Sequence, residues 1–122
     1  MLPEPHNVDG PWQGRFRRGF FDVVLARHAL DCVGGIDMLA LTHMDALTRD
    51  LDWRIAVRYE PPFTATTDLG SVMPVCAAVA GADPPARTQA LRETVAASLS
   101  VAIGLESHGP LAADVRFAPA LW

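Results

Sequence analysis

The chain has 122 residues, half of them hydrophobic, which suffices for one domain with a modest core and argues against a disordered tail. Its formal net charge is −4, and its ten basic residues, all arginine, are dispersed except for Arg15, Arg17 and Arg18, which argues against a nucleic-acid or membrane surface. Because lysine is absent, the chain cannot use Schiff-base chemistry or supply a phosphate-loop lysine.

The first predicted segments are an arm and a helix. Residues 1–13 are rich in proline and glycine, which disfavour helices and central strands, so we predict an N-terminal arm or loop followed by a single domain over residues 14–122. From Phe20 to Cys32 apolar residues recur at helical spacing, with Asp22 in the first turn, where the helix dipole favours an acid. The glycine pair that begins at Gly34 should end this helix.

Two strands are predicted next. The apolar run IDMLALT at residues 36–42 is too short for a helix and favours a buried strand. Apolar and polar side chains alternate over residues 53–59, which is typical of a strand with one polar face, and two prolines beginning at Pro61 should end it. Residues 63–84 are predicted to be irregular, with room for a short strand or turn.

The last third is predicted to contain a helix and two strands. We predict a helix over about residues 85–98. Its apolar stripe consists of Leu91, Val95 and Leu99, and the charged residues away from it are Arg87, Arg92 and Glu93. The apolar segment SVAIGLES should form a strand, and residues 114–117 a last short one. The alternation of helices and strands predicts the α/β class.

Cysteine and histidine spacing predicts no disulfide and no metal site. Cys32 and Cys76 are far apart and lack a CxxC motif, so we expect two buried free thiols in a reducing cytoplasm. The four histidines show neither HxxxH nor HxH spacing. The chain shows no secretory leader pattern and no run of about eighteen apolar residues, so we expect a soluble, cytoplasmic protein.

Three segments carry more information than composition does: GRFRRGFFDVVLARHAL, LALTHMDAL and ESHGP. Singly, each favours a structural interpretation, because short motifs are weak signals. Their order and spacing resemble the last third of adenylosuccinate synthetases, in which an arginine-rich loop precedes a GWxD helix start, an LTKLDVL strand end, a VAY strand end, a helix and an STGP turn. The matching stretches here are RRGFFD, LTHMDAL, VRY and ESHGP. The resemblance runs from about Gly14 to Phe117, matches least over 60–84, and implies a small mixed sheet flanked by two main helices.

The resemblance implies that this chain retains a guanine site. In that family the LTKLD segment binds the guanine of GTP, and Asp45 falls at the position of its aspartate. A carboxylate can accept two hydrogen bonds, from N1 and from the exocyclic amine of guanine, which adenine cannot offer. The family lysine is replaced by His43, which stacks but carries no fixed charge. The positions that the resemblance assigns to the guanine nucleotide are Thr42, His43, Asp45, Ser107, Gly109 and Pro110.

The family's aspartate-binding loop is less well matched. Its TTGR run, which holds substrate carboxylates, is replaced here by GPWQGRFRRG. Arg15 or Arg17 is a candidate carboxylate-binding residue, and a solvated or helix-packing role is an equal alternative.

The sequence contains no match to the family's phosphate loop, GDEGKGK, or to its GHT segment, which supply the phosphate cradle and the catalytic Asp and His. In the complete enzyme, a ligase of purine biosynthesis, GTP phosphorylates the 6-oxygen of IMP with magnesium present, and aspartate then displaces that phosphate. We therefore predict no catalytic residue and no cofactor in this chain alone, weak guanine-nucleotide binding and no ligase activity.

Three interpretations of such a chain remain open. The first is a piece of a synthetase-like ligase: a separately expressed C-terminal domain, a split subunit that works with a separate chain carrying the phosphate-loop half, or the product of a shortened gene. The second is a nonenzymatic remnant that serves as a protein-interaction or dimerisation module, since truncation exposes apolar area. The third possibility is an unrelated small α/β binding protein.

Overall fold

The structure is a computed structural model, and it describes residues 10–12, 14, 19–49 and 52–117. The elements in chain order are β1 (Phe21–Asp22), α1 (Val23–Val33), β2 (Leu39–Leu41), a 3-10 helix (Met44–Thr48), β3 (Arg54–Glu60), β4 (Met73–Ala78), α2 (Pro84–Leu99), β5 (Ile103–Ser107), a second 3-10 helix (Ala112–Asp114) and β6 (Val115–Phe117). The α/β class is confirmed. Most of the N-terminal arm predicted at 1–13 lies outside the described residues, although Gly10 and Gly14 form an antiparallel bridge.

The described strands form two mixed sheets of three strands, so the prediction of a single sheet is wrong. The first sheet has the order β1-β3-β4 and the second β2-β5-β6. In each, the central strand has a parallel neighbour on one side and an antiparallel neighbour on the other. Both edges of β3 and of β5 are therefore occupied, and the two central strands cannot pair with each other.

One hydrophobic core joins the two sheets and the helices. Its buried side chains come from both helices, both sheets and the first 3-10 helix: Val23, Leu41, Met44, Leu47, Ile55, Val95, Leu99 and Ile103. Val95 and Leu99 lie on the predicted apolar stripe of α2, which is confirmed. Because the first 3-10 helix contributes Met44 and Leu47, the loop that follows β2 is anchored in the core.

The two central strands depart from simple alternation because each contains a bulge. In β3, Ala56 is buried and Val57 is exposed, the reverse of the predicted pattern. The register shifts between Ala56 and Arg58, which places one extra residue in β3, and the predicted inward pattern resumes at Tyr59. In β5 a similar shift lies opposite Leu39 and Ala40, and the buried positions are Ile103 and Glu106.

The helix ends follow from capping. The Asp22 carboxylate accepts a hydrogen bond from the Leu25 backbone N–H at 2.9 Å, so Asp22 is the N-cap of α1 rather than a first-turn residue. The helix begins later than Phe20 because Phe21–Asp22 pair with β3. Gly34, in the left-handed conformation with φ 79°, ends the helix as predicted.

The segment between β3 and α2 contains more regular structure than the irregular segment predicted there, since β4 pairs along most of β3. The expectation of two buried thiols is wrong: Cys32 is exposed near the end of α1, and Cys76 is half-buried in β4. Among the described residues, no helix is long and apolar enough to cross a membrane.

Candidate functional site

The carboxyl ends of β2 and β5 meet at one edge of the second sheet. The strands are parallel, and Leu41, the last residue of β2, pairs with Glu106. Thr42 and Ser107 each follow one member of this pair, at the edge where neighbouring strands lie about 4.8 Å apart. The two sequence segments that carry the predicted guanine residues, 42–45 and 107–110, are therefore adjacent. We call this edge the strand-end site.

The first segment turns sharply from β2 into the 3-10 helix. His43 has a left-handed backbone, with φ 60°, which is costly for a residue other than glycine and is maintained only when neighbouring structure requires it. Met44 is buried directly after it and fixes the turn. The 3-10 helix also contacts β5 directly, which ties this segment to the second one. Thr42 and His43 remain exposed.

Asp45 occupies the first turn of the 3-10 helix and is half-buried. Its backbone carbonyl accepts a hydrogen bond from the Thr48 hydroxyl at 2.6 Å. Within the described part of the chain, its carboxylate has neither a hydrogen-bond nor an ion-pair partner. An ionised carboxylate has only acceptor sites, so this side chain retains its capacity to accept from a ligand.

The second segment is a turn that Asp114 closes. The Asp114 carbonyl accepts from the His108 backbone N–H at 2.9 Å, and its carboxylate accepts from the Leu111 N–H at 3.0 Å. A Cβ on Gly109 would lie 2.4 Å from Asp114 Oδ2, so a side chain there would force the Asp114 carboxylate away from its bond to Leu111 N–H. The Ser107 hydroxyl donates to the Gly109 carbonyl at 2.9 Å. Pro110 is exposed. The contact with Asp114 thus favours a small residue at position 109 without any ligand.

Sequence reasoning missed the buried ion pair beneath this turn. Glu106 is 3% exposed, and Arg92 of α2 binds its carboxylate through both Nε and Nη2, the latter at 2.8 Å. Arg92 was predicted to point away from the core stripe, yet its side chain is half-buried against β5. The one available signal was a glutamate at the end of an apolar strand, which requires a partner when buried.

The Arg92 guanidinium determines the charge state of Glu106. Its hydrogen bonds lower the pKa of the Glu106 carboxyl, burial opposes that shift, and a hydrogen bond from His108 adds to the lowering. The same pairing raises the pKa of Arg92. Glu106 therefore carries its charge in the folded protein at neutral pH. Gln89 Oε1 accepts from Arg92 Nη1 at 2.7 Å and completes the support from α2.

His108 is the other residue that sequence reasoning did not assign to the site. Its Nε2 lies 3.1 Å from Glu106 Oε2, and its side chain is 20% exposed. It directly follows the end of β5, and its ring contacts Glu106, the strand partner of Leu41. The predicted alignment with STGP provided no signal here, because His108 stands where that motif has threonine.

The predicted carboxylate-binding residues Arg15 and Arg17 lie outside the described residues, so the structure does not bring them to the strand-end site or separate them from it. No protein-family model and no curated protein matches this chain. The resemblance to adenylosuccinate synthetase therefore stays a prediction from the order of the motifs.

The strand-end site offers hydrogen-bond acceptors more than reactive groups. Asp45 presents a carboxylate, Ser107 a hydroxyl oxygen, and His108 a ring nitrogen. Among the described residues, no group of three or more His, Cys, Asp or Glu side chains could hold a metal ion. Such acceptors at adjoining strand ends can bind a ligand that carries N–H donors.

Proposed function

We propose that this chain is a guanine-nucleotide recognition domain resembling the C-terminal portion of adenylosuccinate synthetase, and that it does not perform the ligase reaction by itself. The observation that carries the proposal is the parallel pairing of Leu41 with Glu106. This pairing brings 42–45 and 107–110 together, although other elements of both sheets lie between them in sequence. The motif pair that resembles the family's guanine site is thus contiguous in space.

Asp45 is the residue that selects the base in this proposal. The carboxylate accepts N1–H and one exocyclic amine hydrogen of guanine, and it is half-buried with no competing partner in the described part of the chain. Adenine presents no donor at N1, so its binding would leave a carboxylate oxygen unpaired. Ser107, Gly109 and Pro110 flank the same base, and Thr42 and His43 border it from the β2 side.

The proposal implies a partner. Phosphate contacts supply much of the affinity for a nucleotide, and the sequence lacks the family's phosphate loop, so binding by this chain alone is weak. We propose that a separate chain with the phosphate-loop half completes the enzyme and brings the contacts for GTP phosphates and magnesium. Coexpression with a candidate chain that carries GDEGKGK, followed by affinity purification of either member, tests this part.

Ligand-observed NMR with GMP and AMP at millimolar concentration tests the recognition itself. The expected result is saturation transfer to both nucleotides, with GMP bound roughly ten- to a hundredfold more tightly. Equal binding of GMP and AMP by the purified chain would refute the proposed function.

The alternative, a nonenzymatic dimerisation module, is favoured by apolar exposure around β6. Phe117 is 84% exposed and Leu111 66% exposed, and β6 is an outer strand of its sheet. Unpaired strand edges and exposed aromatic rings promote association. Light scattering after gel filtration distinguishes the two: a dimer that Phe117→Ser converts to monomer supports the alternative, and a monomeric wild type contradicts it.

A further inference from the structure

The Glu106–His108 contact constrains the protonation of an imidazole at the strand-end site. Glu106 is buried and ionised, and an ionised carboxylate can only accept hydrogen bonds. Its contact with His108 Nε2 at 3.1 Å therefore requires a proton on Nε2. In the neutral ring, Nδ1 is then left as an acceptor.

The other ring nitrogen of His108 is available. Nδ1 has no hydrogen-bond partner within the described ranges, while Nε2 is held by a carboxylate that Arg92 fixes through two bonds. The backbone of the same residue is fixed through its N–H to the Asp114 carbonyl. The ring is thus fixed through Nε2 and the backbone through its N–H. This reduces the conformational entropy that His108 loses when a ligand binds to the ring.

We infer that His108 is a specificity-determining residue that accepts a hydrogen bond at Nδ1 from the exocyclic amine of guanine, and that Glu106 is the positioning residue that holds its tautomer. This inference depends on the proposed function. The amine of guanine has two hydrogens: Asp45 accepts one together with N1–H, and His108 accepts the other. Hypoxanthine, which has N1–H but no amine, keeps a contact to Asp45 and loses the one to His108.

This difference makes IMP the informative ligand. In the wild type, GMP should bind more tightly than IMP, and IMP more tightly than AMP. His108→Ala should weaken the binding of GMP by about three- to tenfold, which corresponds to the loss of one hydrogen bond. It should leave the affinities for IMP and AMP unchanged. If His108 had a purely structural role, His108→Ala would weaken the binding of all three nucleotides together. His28→Ala removes a half-buried imidazole from α1 and is the matched control.

Histidine ¹⁵N NMR tests the positioning role in the wild-type chain, without any variant that risks misfolding. His108 should show the Nε2–H tautomer in the free protein, and GMP, unlike IMP, should shift its Nδ1 resonance. Glu106→Gln, where it folds, should abolish the tautomer preference and lower the GMP-to-IMP ratio.

The outcomes separate this inference from the proposed function. If GMP leaves Nδ1 unchanged and His108→Ala keeps the wild-type GMP-to-IMP ratio, while wild type still prefers GMP over AMP, the role of His108 is overturned and the guanine site stands. If wild type does not distinguish GMP from AMP, the guanine site fails and the role of His108 fails with it.

Discussion

Leu41 and Glu106 are partners in a parallel ladder, although β3, β4 and α2 lie between them in sequence. This one pairing joins the end of β2 to the end of β5 and places a buried, ionised carboxylate next to the segment that carries Asp45. Parallel strands have their carboxyl ends at the same edge, which is where ligands of α/β sheets commonly bind.

Asp45→Asn should abolish the preference for GMP over AMP. The amide replaces one carboxylate oxygen with a donor, so it cannot accept both N1–H and the amine hydrogen, and an interaction on the order of 1 to 3 kcal/mol is lost. Isothermal or NMR titration with both nucleotides measures the change. Asp37→Asn alters an exposed aspartate before the opposite end of β2 and should keep the wild-type preference. A preference that survives in Asp45→Asn would mean that the motif is only a feature of the fold.

The isolated chain should not convert IMP, aspartate and GTP into adenylosuccinate. The sequence matches neither the phosphate loop nor the histidine segment of the family, so the phosphoryl group would be neither positioned nor activated. Absorbance or chromatographic assays against a buffer blank measure this, with a complete synthetase as positive control. Turnover above the blank by the purified chain would contradict the prediction.

Protonation of Glu106 should make the protein less stable in acid. Hydrogen bonds from Arg92 lower the pKa of this carboxyl below its ordinary value of 4.5, so the unfolded chain takes up the proton first as pH falls. The stabilisation is complete above about pH 4.5 and is lost progressively as pH falls through the lower folded pKa. Urea denaturation at neutral pH and in steps below pH 4.5 measures the free energy of unfolding. Acidification should lower it less in Glu106→Gln than in wild type. Glu93→Gln, which removes an exposed carboxylate of α2, should keep the wild-type acid sensitivity.

Asp22→Ala should destabilise the protein by about 1 to 2 kcal/mol, because it removes the N-cap of α1. The same carboxylate also accepts from the Tyr59 hydroxyl, which links α1 to β3. Asp31→Ala is the matched control: this exposed aspartate lies near the carboxyl end of the same helix, where the dipole disfavours an acid, so its removal should be neutral or slightly stabilising. Equal losses in both variants would show that capping is not the cause.

Leu47→Ala should destabilise by about 2 to 5 kcal/mol, because Leu47 is fully buried and anchors the 3-10 helix that carries Asp45. Leu111→Ala, at an exposed leucine, should change the free energy of unfolding by less than about 0.5 kcal/mol. Chemical denaturation of the two variants measures both values. The Leu47 variant should also weaken GMP binding if the anchoring of the 3-10 helix positions Asp45.

Local patterns in the sequence determined the class and the helices of this protein. The period of apolar residues in α2 and the glycine that ends α1 act through neighbours within a few positions, so they can be read without tertiary structure. The segments at Asp45 and Ser107 were singled out by the order of three motifs along the chain, and their assignment to guanine stays a prediction.

Only the tertiary structure decided which strands pair, where they bulge and what neutralises Glu106. The two separate sheets and the shifted registers of β3 and β5 depend on contacts between distant segments, and a bulge changes which side chain faces inward without changing the local composition. Arg92 resembled a solvated residue in the sequence, because no residue of its own helix indicates that the Glu106 carboxylate of β5 lies opposite it. The Arg92–Glu106–His108 cluster exists because folding buries one charge, and a buried charge requires a partner from elsewhere in the chain.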